Sequence, residues 1–215
     1  MKRQTADIQV QKNDITFRKT SEIKPYLKEI QDLVYKRIKK DSSISSLLLL
    51  IIGILNRTYE LTDSAIWSVE NSRPLTASNM LRGLYETLGY IYYWNQEINT
   101  TSNIQERENK IRQALLGSRR KGDQVQQVNI LTCIDEAKRQ FTELRRNYDD
   151  VSEAVHPNSA SHFYMAKAKD NQRGIAEISI PFYQFKKDDK IIITNQIGEC
   201  CHHIIQICKE LLRLS

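Results

Sequence analysis

The stretch LLLLIIGILNRTYELTDSAIWSVENSRPLTASNMLRGLYETLGYIYYW, Leu47–Trp94, decides the fold. Its first turns are apolar all round. Further on, Leu55, Tyr59, Thr62, Ile66 and Val69 recur at helical spacing. The pattern predicts a helix over about Ser43 to Asn71. Pro74 pushes the residue before it out of the helical region, so SRPL breaks the chain. LTASNMLRGLYETLGYIYYW then predicts a further helix. A break this short makes the two an antiparallel pair. The nine apolar residues Leu47 to Leu55 fall well short of the ~20 needed to span a membrane, and read as a buried helical segment.

Around this pair the chain continues in the same idiom. Residues 7–17, DIQVQKNDITF, alternate apolar and polar and predict an extended arm or small hairpin within residues 1–20. SEIKPYLKEIQDLVYKRIKK predicts a helix with Ser21 as its cap and Pro25 in its first turn. A helix is expected from Asn103 to about Val128, kinked or ended by GSRRKGD. Beyond it, Ile130, Ile134, Ala137, Phe141, Leu144, Tyr148, Val151 and Val155 step by four and three. That is one long helix with an a/d seam, ended by Pro157. Residues 158–189 are rich in β-formers and predict a β-hairpin or two short strands. NQIGECCHHIIQICKELLRL closes the chain as a last helix with Ile197, Cys201, Ile204, Cys208 and Leu211 inward. The fold expectation is mainly all-α: one helical-bundle domain over 21–215, with five to six helices and a β insertion at about 158–189.

Bulk properties bound the function classes. Among 215 residues there are only 4 Pro and 7 Gly, which favours long helices. The net charge of +6 permits salt-sensitive attraction to nucleic acid. No apolar segment follows the basic start MKRQTADIQVQKND, so no secretory signal is expected there. Four cysteines without a framework spacing fit a reducing cytoplasm. Phosphate-binding loops, dinucleotide glycine motifs and Gly-x-Ser-x-Gly are absent from the sequence, and no cofactor is expected.

Chemistry concentrates in two places. From Leu75 to Trp94 the only charged residues are Arg82 and Glu86, four apart on one flank. On so apolar a helix the pair is partly buried. It is either a structural ion pair or an anion-binding pocket. The second place is the stripe Asp135, Lys138, Thr142, Arg145, Asp149, Ser152 and His156, one residue past the seam. Its end could stabilise negative charge and exchange a proton near neutral pH, or His156 could simply favour the helix dipole. CCHH, Cys200 to His203, cannot close a tetrahedron from four consecutive helical positions, so no metal is expected and Cys201 and Cys208 read as core. The basic cluster Arg119, Arg120 and Lys121 could touch phosphate or remain solvated.

SVENSRPLTASNMLRGLYETLGYIYYW followed by YDDVSEAVHPNS resembles a group of bacterial helical proteins. These carry Arg-x-x-x-Glu on one helix and end another in Ser-x-x-x-His-Pro. Their layout is similar to the HEPN class of helical domains, over roughly Leu47 to Ser159. The resemblance implies a toxin–antitoxin or phage-defence setting, homodimers, and metal-independent RNA cleavage. HEPN nucleases carry Arg followed by His after about four to six residues. Here Arg145 and Arg146 precede His156 with ten and nine residues between, so that motif is not matched. Arg82 would have to substitute from another helix.

The resulting expectation is a cytoplasmic HEPN-like protein that binds RNA or a nucleotide and could cleave RNA. Arg82 would contact phosphate with Glu86 orienting the bound anion, His156 would act as general acid/base, and Arg145 or Arg146 would stabilise charge. The alternative is an interaction or dimerisation module without catalysis.

Overall fold

The computed structural model describes residues 15–40, 44–117, 125–156, 166–170, 175–178 and 187–213, and among these residues it has seven α-helices and two short strands. The helices are α1 (Lys24–Lys40), α2 (Ser46–Glu70), α3 (Pro74–Asn99), α4 (Ile104–Leu116), α5 (Ile130–Ala137), α6 (Leu144–Val155) and α7 (Lys187–Leu211). Strands β1 (Ala166–Asp170) and β2 (Ile175–Ile178) pair antiparallel. Among the described residues no helix is long and apolar enough to cross a membrane.

Local chemistry sets most of the helix ends. Ser45 caps α2, its hydroxyl accepting from Leu48 N–H at 3.1 Å. Asn103 and Asn129 cap α4 and α5 in the same way, through Glu106 N–H and Leu131 N–H. Between α2 and α3, Ser72 takes the left-handed region at φ 53°, and Arg73 N–H reaches back to Ser68 O at 2.8 Å. Pro74 then opens α3, where its missing N–H costs nothing.

Paired contacts give the directions. Gly83 faces Leu61 and Thr87 bonds Arg57, so α2 and α3 run antiparallel. Glu86 meets Tyr148 and Tyr92 meets Phe141, so α6 is also antiparallel to α3. Asn95 bonds Glu210 while Tyr85 lies beside Glu199 and Cys200, so α7 runs parallel to α3. Helix α3 is the central element, and Leu81, Leu84, Leu88 and Ile91 are all buried on it, as the spacing predicts. Ile197, Cys201, Ile204, Cys208 and Leu211 are likewise buried on α7.

Three expectations about the elements need correction. Ser21 is not a helix cap: it lies in a 3-10 turn, Thr20–Glu22, closed by the Glu22 carboxylate accepting from Arg18 N–H at 2.8 Å. The fourth helix is not among them: it ends at Leu116, where GSRRKGD begins, and a Cβ at Gly117 would lie 2.7 Å from Gln113 O, so the chain turns where no side chain fits. The long fifth helix is two helices, α5 and α6. The residues between them form tight turns, with Gln140 N–H on Ala137 O and Leu144 N–H on Phe141 O. Phe141 sits at that break, its ring against Tyr92 (5.6 Å) and His203 (4.8 Å). Packing between α3 and α7 thus overrides a seam that continues through the break, and the helices number more than five to six. Lastly, α7 begins at Lys187, inside the stretch assigned to the β insertion, with Asp188 and Asp189 favouring its N-terminus. The expected arm over residues 1–20 falls largely outside the described residues. Its described end is anchored: Phe17 is buried against Gly198, and its N–H donates to Asn195 Oδ1 at 2.7 Å.

Candidate functional site: an arginine pair around Glu86

Arg82 and Glu86 do face each other on α3, Arg82 Nε lying 3.3 Å from Glu86 Oε1. Their side chains are 30% and 27% exposed, so the pair is neither fully buried nor solvated. Two further elements close on it. From α2, Arg57 brings a second guanidinium, with Nη2 at 3.9 Å from Glu86 Oε2 and Nε donating to Thr87 Oγ1 at 3.0 Å. Thr87 in turn donates to Gly83 O at 2.7 Å, which fixes its hydroxyl to accept from Arg57. On the α6 side, the Tyr148 hydroxyl donates to Glu86 Oε1 at 3.4 Å. The Arg82 guanidinium carbon lies 5.7 Å from the Tyr148 ring centroid, within cation–π reach.

The arrangement follows from the helix register. Glu86 lies where α2 and α6 both reach α3, meeting Arg57 from the one and Tyr148 from the other. Gly83 lets α2 approach, with Leu61 filling the space a Cβ would take. Two guanidinium groups share one carboxylate here, so the cluster carries a net positive charge. Arg82 uses only Nε toward Glu86 among the described residues, which leaves its two terminal nitrogens as donors. A cluster of this kind can accept an anion with several acceptor oxygens.

The other predicted residues are arranged differently. Arg145 is held by two carboxylates: its Nε donates to Asp149 at 2.9 and 3.1 Å and its Nη1 to Asp135 at 3.0 Å. It ties α6 to α5 across the break, and those bonds raise its pKa further. Arg146 is exposed and pairs with Glu143. His156 ends α6, its N–H bonded to Ser152 O, with an exposed side chain. The Ser152 hydroxyl is buried with no hydrogen-bond partner among the described residues. Arg119, Arg120 and Lys121 lie outside the described residues. Arg57 and Tyr148 are the members that the sequence reading missed.

The CCHH segment is core rather than site. Burial pushes the Cys133 and Cys201 thiols up to about 12 and raises Cys200 and Cys208 as well, so none offers a thiolate near neutral pH. His202 packs edge-on to Tyr26, and His203 against Phe141. Burial lowers His203 to about 4, with His202 adding to the effect. Compared with protein-family models, with curated proteins and with solved structures, the chain matches none of them.

Proposed function

We propose that the protein is a HEPN-like helical domain of a bacterial defence or stress system, acting in the cytoplasm and binding RNA or a nucleotide at the Arg57–Arg82–Glu86 cluster. The observation that carries the reading is the convergence of Arg57 and Arg82 on one carboxylate at a half-open surface. Phosphate oxygens are the natural acceptors for the donors left over.

Metal-independent cleavage of RNA is the catalytic part of the proposal, with His156 as general acid/base. The antiparallel register of α3 and α6 supports it. Glu86 beside Tyr148 and Tyr92 beside Phe141 carry His156 to the level of Ser78. That is four residues from Arg82, roughly 6 Å of axial rise. Arg146, exposed and next in the chain after the clamped Arg145, takes the charge-stabilising role. Wild type and His156→Ala are incubated with RNAs of varied sequence and structure. Wild type cleaves and His156→Ala does not; a wild type inert toward all of them refutes the nuclease part.

A second reading, a dimerisation or partner-binding module without catalysis, is favoured by one observation. Trp67 and Leu75 are both exposed beside the α2–α3 turn. Sedimentation at increasing concentration tests the dimer; a concentration-independent monomer refutes it.

A further inference from the structure

Glu86 stands where an incoming anion would have to go. Its two carboxylate oxygens take up the positions that face Arg82 Nε and Arg57 Nη2, and the Tyr148 hydroxyl holds one of them. The contacts are unequal and long. Arg82 Nε reaches Oε1 at 3.3 Å and Arg57 Nη2 reaches Oε2 only at 3.9 Å. A bidentate arginine–carboxylate pair has nitrogen–oxygen distances of about 2.7–2.9 Å. Neither arginine is therefore matched to Glu86 by geometry. A tetrahedral anion offers more acceptor oxygens than a carboxylate to guanidinium groups held this loosely. Arg57 has a fixed base for this role, because Thr87 accepts from its Nε and orients the terminal nitrogens toward Glu86.

We propose that Arg57 and Arg82 form a two-arginine clamp for a phosphate group, and that the Glu86 carboxylate is its built-in competitor, displaced when phosphate binds. The inference rests on the phosphate-binding reading above and adds the regulation of that site. Glu86 sets the affinity. It neutralises part of the clamp's charge and keeps weak anions out, so that only a ligand with enough charge or additional contacts displaces it. On this view Arg57 is a ligand-binding residue, and Glu86 is a gatekeeper rather than an orienting group for the bound anion.

Binding of a fluorescent single-stranded RNA, a nucleoside monophosphate and inorganic phosphate is measured across a salt series for the full chain. The proteins are wild type, Glu86→Gln, Glu86→Ala and Arg57→Ala, each checked for a cooperative melt. Glu86→Gln and Glu86→Ala bind phosphate ligands about five- to ten-fold more tightly than wild type at low salt. Their salt dependence steepens by about 0.7 in log–log slope, the value expected for one more phosphate contact to a single strand. Arg57→Ala binds more weakly than wild type. A gain limited to RNA assigns the ligand to a chain of phosphates, and a gain shared with the mononucleotide assigns it to a single one. In wild type, the Arg57 and Arg82 Nε–H resonances shift together on phosphate titration, which tests the clamp without any substitution. If wild type binds RNA but the Glu86 variants bind no more tightly, the competitor role is overturned while the binding reading stands. If none of the proteins binds any of the ligands, both are overturned.

Discussion

Replacing Gly89 by alanine tests the packing that holds α5 on α3. A Cβ at Gly89 would lie 2.9 Å from Ile134 Cγ1 and 3.2 Å from both Ile134 N and Cα. Ile134 is fully buried, and two of these atoms are backbone, so no rotamer change relieves the contact. Alanine itself favours a helix interior by ~1 kcal/mol over glycine. Overpacking a filled core costs ~1–3 kcal/mol. The contact outweighs the propensity, and Gly89→Ala loses about 1 kcal/mol. Gly83, on the same helix, supplies the control. Its Cβ would meet only the Leu61 side chain, at 3.0 and 3.1 Å, and Leu61 is partly exposed and can turn away. Gly83→Ala should therefore be neutral or gain ~0.5 kcal/mol. The two variants are compared by thermal and urea denaturation. A chain of this size shifts roughly 2–4 °C per kcal/mol, so Gly89→Ala melts about 2–6 °C below Gly83→Ala. Gly89→Ala melting at or above Gly83→Ala would refute the close approach of α5 to α3.

Two further predictions follow from buried groups. A Cβ at Gly198 would lie 2.3–2.7 Å from the Phe17 ring, so Gly198→Ala expels Phe17 and forfeits roughly 1.5–3 kcal/mol of burial. Trypsin then cuts faster after Arg18 and Lys19 while the bundle still melts cooperatively; unchanged cleavage would contradict the anchoring. Because burial lowers His203 to about 4, the unfolded chain binds its proton more readily than the folded one. Its contribution is complete above the ordinary histidine value near 6.5. It declines as pH falls toward about 4 and amounts to at most ~3 kcal/mol. His202 is lowered too, and acts in the same direction. Urea melts from pH 7 to 4 should show this loss in wild type and a shallower one in His203→Phe; parallel profiles would count against it.

The helix pair at the centre was legible because its signals are local. Pro74 and the apolar steps on each side fix α2 and α3 without reference to the rest of the chain. The Arg82–Glu86 pair was equally legible, since two charges on an apolar helix leave few options. Its partners were not. Arg57 is the only basic residue between Ile44 and Arg73, a signal as sharp as the Arg82–Glu86 pair, but nothing in its own helix says which charge it meets. Tyr148 was read only as a seam residue, although its hydroxyl reaches past the core to Glu86. The break between α5 and α6 carries no glycine or proline, and the seam runs through it unbroken. At the break Phe141 meets the rings of Tyr92 and His203, which come from distant parts of the chain. Arg145 shares the stripe with His156 as counted, yet its fork is taken by Asp135 and Asp149, a competition that spacing does not rank.

Binding of a short single-stranded RNA to wild type and to Arg82→Ala, at low and moderate salt, tests the phosphate site most directly. Wild type binds with an affinity that falls as salt rises, and Arg82→Ala binds at least five-fold more weakly while keeping a cooperative melt. Equal binding by the two proteins, or none by wild type, would contradict a phosphate site built on Arg57, Arg82 and Glu86.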